Sequence, residues 1–256
     1  MNPRALSTGH AANAQTVLAL LPAVVRRRVE ELVNAVTQAL DGHLVSVVVY
    51  GSAVRGGFTH HSDVDLLIIV DDDDPALLRK LSDPLATGHA SARIDCRILT
   101  LAEIPRAADV FPVLYDDVRA CHAVLFGSDP FADLVIHDEH RRLRVEQELR
   151  DMRMRLRRLL VDTAFDDVRL GMGVNHKLKQ VRAPLASLLK LHGVVTPDDL
   201  VTVLDIIGKR LKVDTIPLTQ KAATSLPAAT ALGIVLDAAI ADVDALDTVH
   251  PAQAAR

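Results

Sequence analysis

Two aspartates, Asp63 and Asp65, open the run SDVDLLIIV, and a third, Asp95, sits inside ARIDCRIL. Both runs are apolar and rich in β-branched residues, where a carboxylate is costly unless it is hydrogen-bonded, paired or bound to a metal. Side chains alternate along a strand, so Asp63, Asp65, Leu67 and Ile69 share one face while Val64, Leu66, Ile68 and Val70 share the other. Neighbouring carboxylates repel, and one of them draws a proton unless a cation lies between them. Such a pair suits Mg2+, a hard ion that takes oxygen ligands and keeps positions open for phosphates. Asp95 shares its face with Arg93 and Arg97 and opposes Ile94, Cys96 and Ile98. If its strand pairs with Val64–Val70, Asp95 reaches the same cluster, to bridge ions or to take the proton of an attacking hydroxyl.

Upstream, YGSAVRGGF places Gly51 and Ser52 at the end of an earlier apolar run. A glycine there lets a ligand approach the backbone, and a serine opening a helix offers a hydroxyl and free N–H groups to an anion. The pattern reads Gly-Ser, ten residues, Asp-x-Asp. Plainer alternatives are solvated strand-start residues for Asp63 and Asp65, and an ion pair with Arg93 or Arg97 for Asp95. Asp71–Asp74 precedes a helix expected from Pro75, where acidic residues serve the helix dipole and solvation. His60 and His61 fall in a loop without a ligand-spaced partner, and Cys96 faces the core.

The elements that must hold these residues change character along the chain. A helix is expected near Val24–Leu40, with strands near Leu44–Tyr50, Val64–Val70, Arg93–Leu99 and His122–Phe126. Beyond about Asp138 only helices are expected: one through HRRLRVEQELRDMRMRLRRLLV and others near Asn175–Leu191, Pro197–Leu211 and Pro227–Leu246. Thr196 and Pro197 form a capped helix start. The charge balance shifts at the same place, from −6 over residues 1–136 to +2 over 137–256. The fold class is therefore α/β (α+β): a small mixed-sheet domain over 1–136, joined through GSDPFADL to an all-helical bundle over 137–256.

The whole chain of 256 residues carries a net charge of −4, with five Phe, two Tyr and no Trp. That balance and the few stacking platforms give no reason to expect nucleic-acid binding. Two cysteines build no disulfide framework and fit a reducing compartment. The first residues lack the basic and apolar regions of a signal peptide, and no apolar run reaches the ~20 residues of a membrane span. A cytoplasmic protein without a membrane partner is expected.

The stretch YGSAVRGGFTHHSDVDLLIIV followed by RIDCRIL resembles the nucleotidyltransferase superfamily, whose fold is DNA polymerase beta-like. In wording it is similar to bacterial aminoglycoside adenylyltransferases and to a broad group of uncharacterised bacterial nucleotidyltransferase-domain proteins. The match covers Tyr50 to Arg97. The resemblance implies transfer of a nucleoside monophosphate, AMP from ATP or another nucleoside triphosphate, to a hydroxyl of a small-molecule or protein acceptor. Pyrophosphate leaves and two Mg2+ ions assist. Asp63 and Asp65 would then hold the metal, Asp95 would be the third ligand or the base, and Gly51, Ser52 and Ser62 would hold the triphosphate. Lys177, Lys179 and Arg182, at near-helical spacing, are candidate triphosphate cations from the helical half. Two alternatives stand beside this one: an antitoxin-like enzyme that nucleotidylates a protein, and a non-catalytic nucleotide-binding interaction module. Arg169 and His176 loosely resemble the Arg-x(4–6)-His pattern of HEPN ribonucleases.

Overall fold

The computed structural model describes residues 13–56, 58, 62–195, 199–219 and 225–248. His60, His61, Thr196 and Pro197 lie outside these described residues. The chain divides into two compact units. One, the head, comprises the described residues of Leu6–Ala108 and Tyr115–Val135. The other, helical, comprises those of Asp109–Leu114 and Ile136–Arg256.

Four strands form the head's sheet: β1 Leu44–Tyr50, β2 Val64–Val70, β3 Ile94–Thr100 and β4 His122–Gly127. Their order is β3-β2-β1-β4. β1 runs antiparallel to β2 and β4, while β2 and β3 are parallel, so the sheet is mixed. Parallel neighbours need a crossover, here supplied by the helices Pro75–Arg79 and Ser82–Ala92. In chain order the helices up to β4 are α1 Ala14–Leu20, α2 Ala23–Leu40, α3 Ser52–Arg55, α4 Pro75–Arg79, α5 Ser82–Ala92, α6 Glu103–Ala107 and α7 Pro112–Ala120.

Alternation along the strands decides which face is core. Val47, Val49, Val64, Leu66, Ile68, Val70 and Ile94 pack with Val29, Leu32, Val36 and Leu40 of α2 in one buried cluster. The α2 residues recur at helical spacing, which makes a single apolar stripe. Each such side chain contributes roughly 1.5–3 kcal/mol on burial. On the opposite face Val48, Leu67 and Ile69 are also buried, so that face opens toward the start of β2 and along β3, where Asp95 and Arg97 are exposed. Tyr115 and Phe131 are buried as well, with ring centroids 6.0 Å apart.

The helical unit is built from α8 Asp138–Asp162, α9 Asp167–Leu191, α10 Leu200–Leu211, α11 Ile216–Thr219 and α12 Ser225–Thr248. Val145, Leu149, Met152 and Leu156 form the buried stripe of α8, against Val174, Leu178, Val181 and Leu185 of α9 and Leu232, Val235 and Leu236 of α12. Most arginines of α8 meet a carboxylate. Arg142 and Arg150 meet Glu146, Arg144 meets Glu148, and Arg158 meets Asp162, all one helical turn apart.

Two expectations are corrected here. α9 starts at Asp167 rather than near Asn175, because Gly171 and Gly173 do not break it. A Cβ on Gly173 would stand 2.5 Å from Leu159, so its glycine serves the close approach of α8 and α9. The expectation that no segment is long and apolar enough to span a bilayer also fails, for Ser225–Leu246 of α12 passes by length and composition. Asp237, Asp242 and Asp244 interrupt the apolar run in the sequence without making the helix polar on average. Half of the qualifying stretch is buried, with Ala229, Leu232, Val235, Leu236, Ala239 and Val243 in the helical core, as a central core helix requires.

Candidate active site

The site is assembled where β1 ends and β2 and β3 begin. In the parallel pairing Asp65 stands directly opposite Asp95, and in the antiparallel pairing Asp65 stands opposite Tyr50. Tyr50 in turn faces His122 on β4. Residues opposite each other share a face, so Asp95, Asp65, Tyr50 and His122 form one row across the sheet, on the side away from the α2 core.

Burial, with the Asp95 and Asp63 carboxylates beside it, pushes the Asp65 carboxyl up to about 6. Arg97 and Arg55 pull it the other way without prevailing. Burial likewise pushes the Tyr50 hydroxyl up to about 12. Cys96, on the opposite face, is packed against the α2 core, and burial raises its thiol to about 12.

Gly51 is the turn that brings the backbone to this row. Its φ of 73° and ψ of −147° belong to a region that only glycine adopts readily. A Cβ there would lie 2.5 Å from Asp65 Oδ2, so the missing side chain is the space the carboxylate occupies. Ser52 begins α3 and is half-buried, as is Ser62 next to Asp63.

Asp63 is arranged differently from Asp65 and Asp95. Arg93 Nε donates to Asp63 Oδ1 at 2.7 Å, so Arg93 is engaged with Asp63 rather than with Asp95. Among the described residues no three His, Cys, Asp or Glu side chains are already grouped to hold a metal ion. The donor set still suits one. It consists of oxygen ligands alone, with Asp65 and Asp95 opposite each other in the strand register and the Asp65 carboxyl pushed up by burial first and by the neighbouring carboxylates second.

Sequence patterns did not reveal every charge around the site. Arg55, four residues after Gly51, lies 2.7 Å from Asp117 on α7, with both side chains largely buried. The Asp71–Asp74 run does local work: Asp74 Oδ1 accepts the N–H groups of Ala76 and Leu77 to cap α4, and Asp71 meets His43. In the helical unit Lys177 and Arg182 are buried and Lys179 is exposed; burial holds the Lys177 amine below its usual range. Arg169 and His176 are exposed on α9, where His176 Nε2 bonds Gln180.

The end of β1, the Gly51 turn and the facing aspartates together form the head's candidate site. Residues 29–143 match the family model of the nucleotidyltransferase domain, which places this part of the chain in the nucleotidyltransferase superfamily. The chain is 34% identical over 98 residues to an aminoglycoside (3'') (9) adenylyltransferase of Klebsiella pneumoniae, covering 38% of this chain and 34% of the relative. It is 36% identical over 47 residues to a protein provisionally named a protein adenylyltransferase in Methanocaldococcus jannaschii, covering 18% of this chain and 47% of that one. The chain thus spans about a third of the length of the aminoglycoside relative and about half of the other. Among solved structures it resembles the spectinomycin adenyltransferase AAD(9) from Enterococcus faecialis, determined with ATP and spectinomycin. That likeness has a TM-score of 0.52 at 11% identity, covers 85% of this chain and 98% of the other, and is one of fold.

Proposed function

We propose that this protein is a nucleotidyltransferase that moves AMP from ATP onto a hydroxyl of an acceptor, with release of pyrophosphate. The observation that carries this reading is the placement of Asp65 directly opposite Asp95, beside a glycine whose missing Cβ leaves room for the carboxylate. Asp63, Asp65 and Asp95 would hold Mg2+, which when bound neutralises the triphosphate and the departing pyrophosphate and acidifies the acceptor hydroxyl. The chain's own part is positioning. Gly51 brings backbone close to the triphosphate, the Ser52 and Ser62 hydroxyls donate to its oxygens, and Asp95 receives the acceptor's proton. Tyr50 closes the row from the β1 side with a hydroxyl that stays protonated well above neutral pH. We place the reaction in the cytoplasm, where nucleoside triphosphates are available.

Two acceptor classes follow from the relatives' names. A small hydroxylated antibiotic of the aminoglycoside or spectinomycin type is one, supported by the longer sequence match. A protein hydroxyl is the other, supported by the shorter match to a provisionally named protein adenylyltransferase. Incubation with α-labelled ATP and Mg2+ tests both, with spectinomycin and streptomycin in one arm and a soluble bacterial proteome in the other. Label on a drug or on a protein band, lost in Asp65→Asn, is the expected result. Labelled ATP left intact in every arm would remove the enzymatic reading and leave the interaction module.

A further inference from the structure

Arg93 grips the start of β2 twice. Its carbonyl accepts the Val64 N–H at 3.1 Å, and its Nε donates to Asp63 Oδ1 at 2.7 Å. Its own N–H closes α5 on the carbonyls of Gly88 and His89. The residue does this with a φ of 52°, a left-handed conformation that residues other than glycine seldom adopt. A backbone fixed at both its N–H and its carbonyl sets the Arg93 side chain beside the carboxylate two residues before Asp65, which its Nε reaches.

This pair is not a buried structural bridge. The Arg93 and Asp63 side chains are 56% and 49% exposed, and ion pairs at that exposure add little to folding stability. What the contact does alter is the availability of Asp63. Asp65 and Asp95 face each other, yet no third carboxylate among the described residues joins them to make a cation site.

Resting on the metal-dependent reading above, we propose that Arg93 competes with the divalent cation for Asp63. It is a positioning residue that holds this carboxylate by its guanidinium until a cation takes it, and so weakens metal loading. A cation at Asp63 must therefore displace a neighbour already in hydrogen-bonding contact, which makes loading harder than the three-aspartate inventory suggests.

The test is a titration of the full chain with Mn2+ alone, without nucleotide, read by the electron paramagnetic resonance of the free ion. Arg93→Gln keeps a Cβ and similar backbone preferences but cannot form the charged contact; it should bind Mn2+ about two- to fivefold more tightly, the scale of a surface ion pair. Arg93→Lys keeps the charge without the Nε geometry and should show a smaller gain in the same direction, which also serves if Arg93→Gln folds poorly. In an Asp63→Asn background Arg93→Gln should change nothing, because the carboxylate in contention is gone. Equal or weaker Mn2+ binding in Arg93→Gln would overturn the proposal. So would the same gain persisting in Asp63→Asn, since the effect would then be diffuse charge. None of these measurements involves AMP transfer, so a head that loads Mn2+ as expected but transfers nothing would sink the enzymatic reading alone.

Discussion

In the helical unit Arg153 meets Asp237 through two parallel hydrogen bonds, and Arg150 reaches both Glu146 and Asp244. In the head Asp65 faces Asp95 across a strand pair, with Asp63 two residues away. The carboxyls respond in opposite senses. Hydrogen bonds from Arg150 hold Glu146 below its usual range and those from Arg153 do the same for Asp237, whereas burial and like charge push Asp65 up to about 6. In the helical unit these arginines and carboxylates stand against opposite partners. The head gathers like charge on a partly buried face, an arrangement that costs stability unless something cationic is brought to it. Local energetic cost in one unit beside local satisfaction in the other is the physical mark of where chemistry is placed.

The sharpest way to break this contrast is Asp65→Asn. If the clustered charge serves catalysis, AMP transfer should fall on the order of a thousandfold or more, as removal of a direct metal ligand would require. Without metal, the thermal midpoint at pH 7 should stay level or rise, because a repulsive charge has been deleted. A metal-free midpoint that drops by several degrees would mean that Asp65 serves the fold rather than the chemistry.

Gly51→Ala comes next, and it acts on structure directly. The new Cβ would stand 2.5 Å from Asp65 Oδ2 and force a φ of 73° on a residue with a side chain. A loss of about 1–3 kcal/mol in denaturant unfolding is expected, together with loss of transfer. Wild-type stability in this variant would show that the turn relaxes freely and that the glycine is not required by the carboxylate.

Local periodicity accounts for what was legible in the sequence. Short β-branched apolar runs marked β1 and β2 at their observed limits, as strands buried on both faces require. The pairing that sets Asp95 beside Asp65 could be stated only conditionally, because nothing in ARIDCRIL says which strand it will meet. The Arg93–Asp63 contact was out of reach for a related reason. It depends on a left-handed backbone at an arginine, where a glycine or asparagine would have announced the turn. Arg55 and Asp117 meet only after α3 and α7 have been placed around the sheet. In the helical half the pattern predicts a helix only from near Asn175, but α9 begins about two turns earlier, at Asp167, and Gly173 within it serves the close approach of α8.

A pH series sharpens the comparison at a smaller scale. The folded-state value for Asp65 lies above its ordinary value of 3.8, at about 6, so the native state binds more protons than the unfolded chain between these limits. Stability contributed by this group must then fall as pH rises through that window. The full shift corresponds to about 3 kcal/mol, and partial exposure screens it to about 1–2 kcal/mol. Glu146 and Asp237 act with the opposite sign: their contribution is present above the unfolded carboxylate value and lost as pH falls through the lowered one. The difference in unfolding free energy between wild type and Asp65→Asn, followed without metal from pH 4 to pH 7, isolates the head's contribution. A difference that does not grow in favour of the variant with rising pH would show that neither burial nor like charge burdens the Asp65 carboxylate in the folded state.

The smallest effect belongs to a second glycine, set in the paired unit. Gly233 lies buried in the interior of α12, one turn before Asp237, and the Arg153 guanidinium that bonds Asp237 passes over it. A Cβ at this position would stand 3.5 Å from Arg153 Nη1, which is ordinary van der Waals contact. Alanine also loses less backbone freedom than glycine on entering a helix, a gain of about 0.5–1 kcal/mol where nothing clashes. Gly233→Ala should therefore raise stability by roughly that amount, about 1–4 °C in thermal midpoint for a chain of this size. The same chemical change thus has opposite signs in the two units: the added methyl collides with a fixed carboxylate at Gly51 and fills a tolerant contact at Gly233. A fall in the midpoint of Gly233→Ala would mean that the methyl displaces Arg153 from Asp237. The helical unit would then also depend on a glycine to bring its charges together, and the contrast between the units would narrow to the sign of the charges they gather.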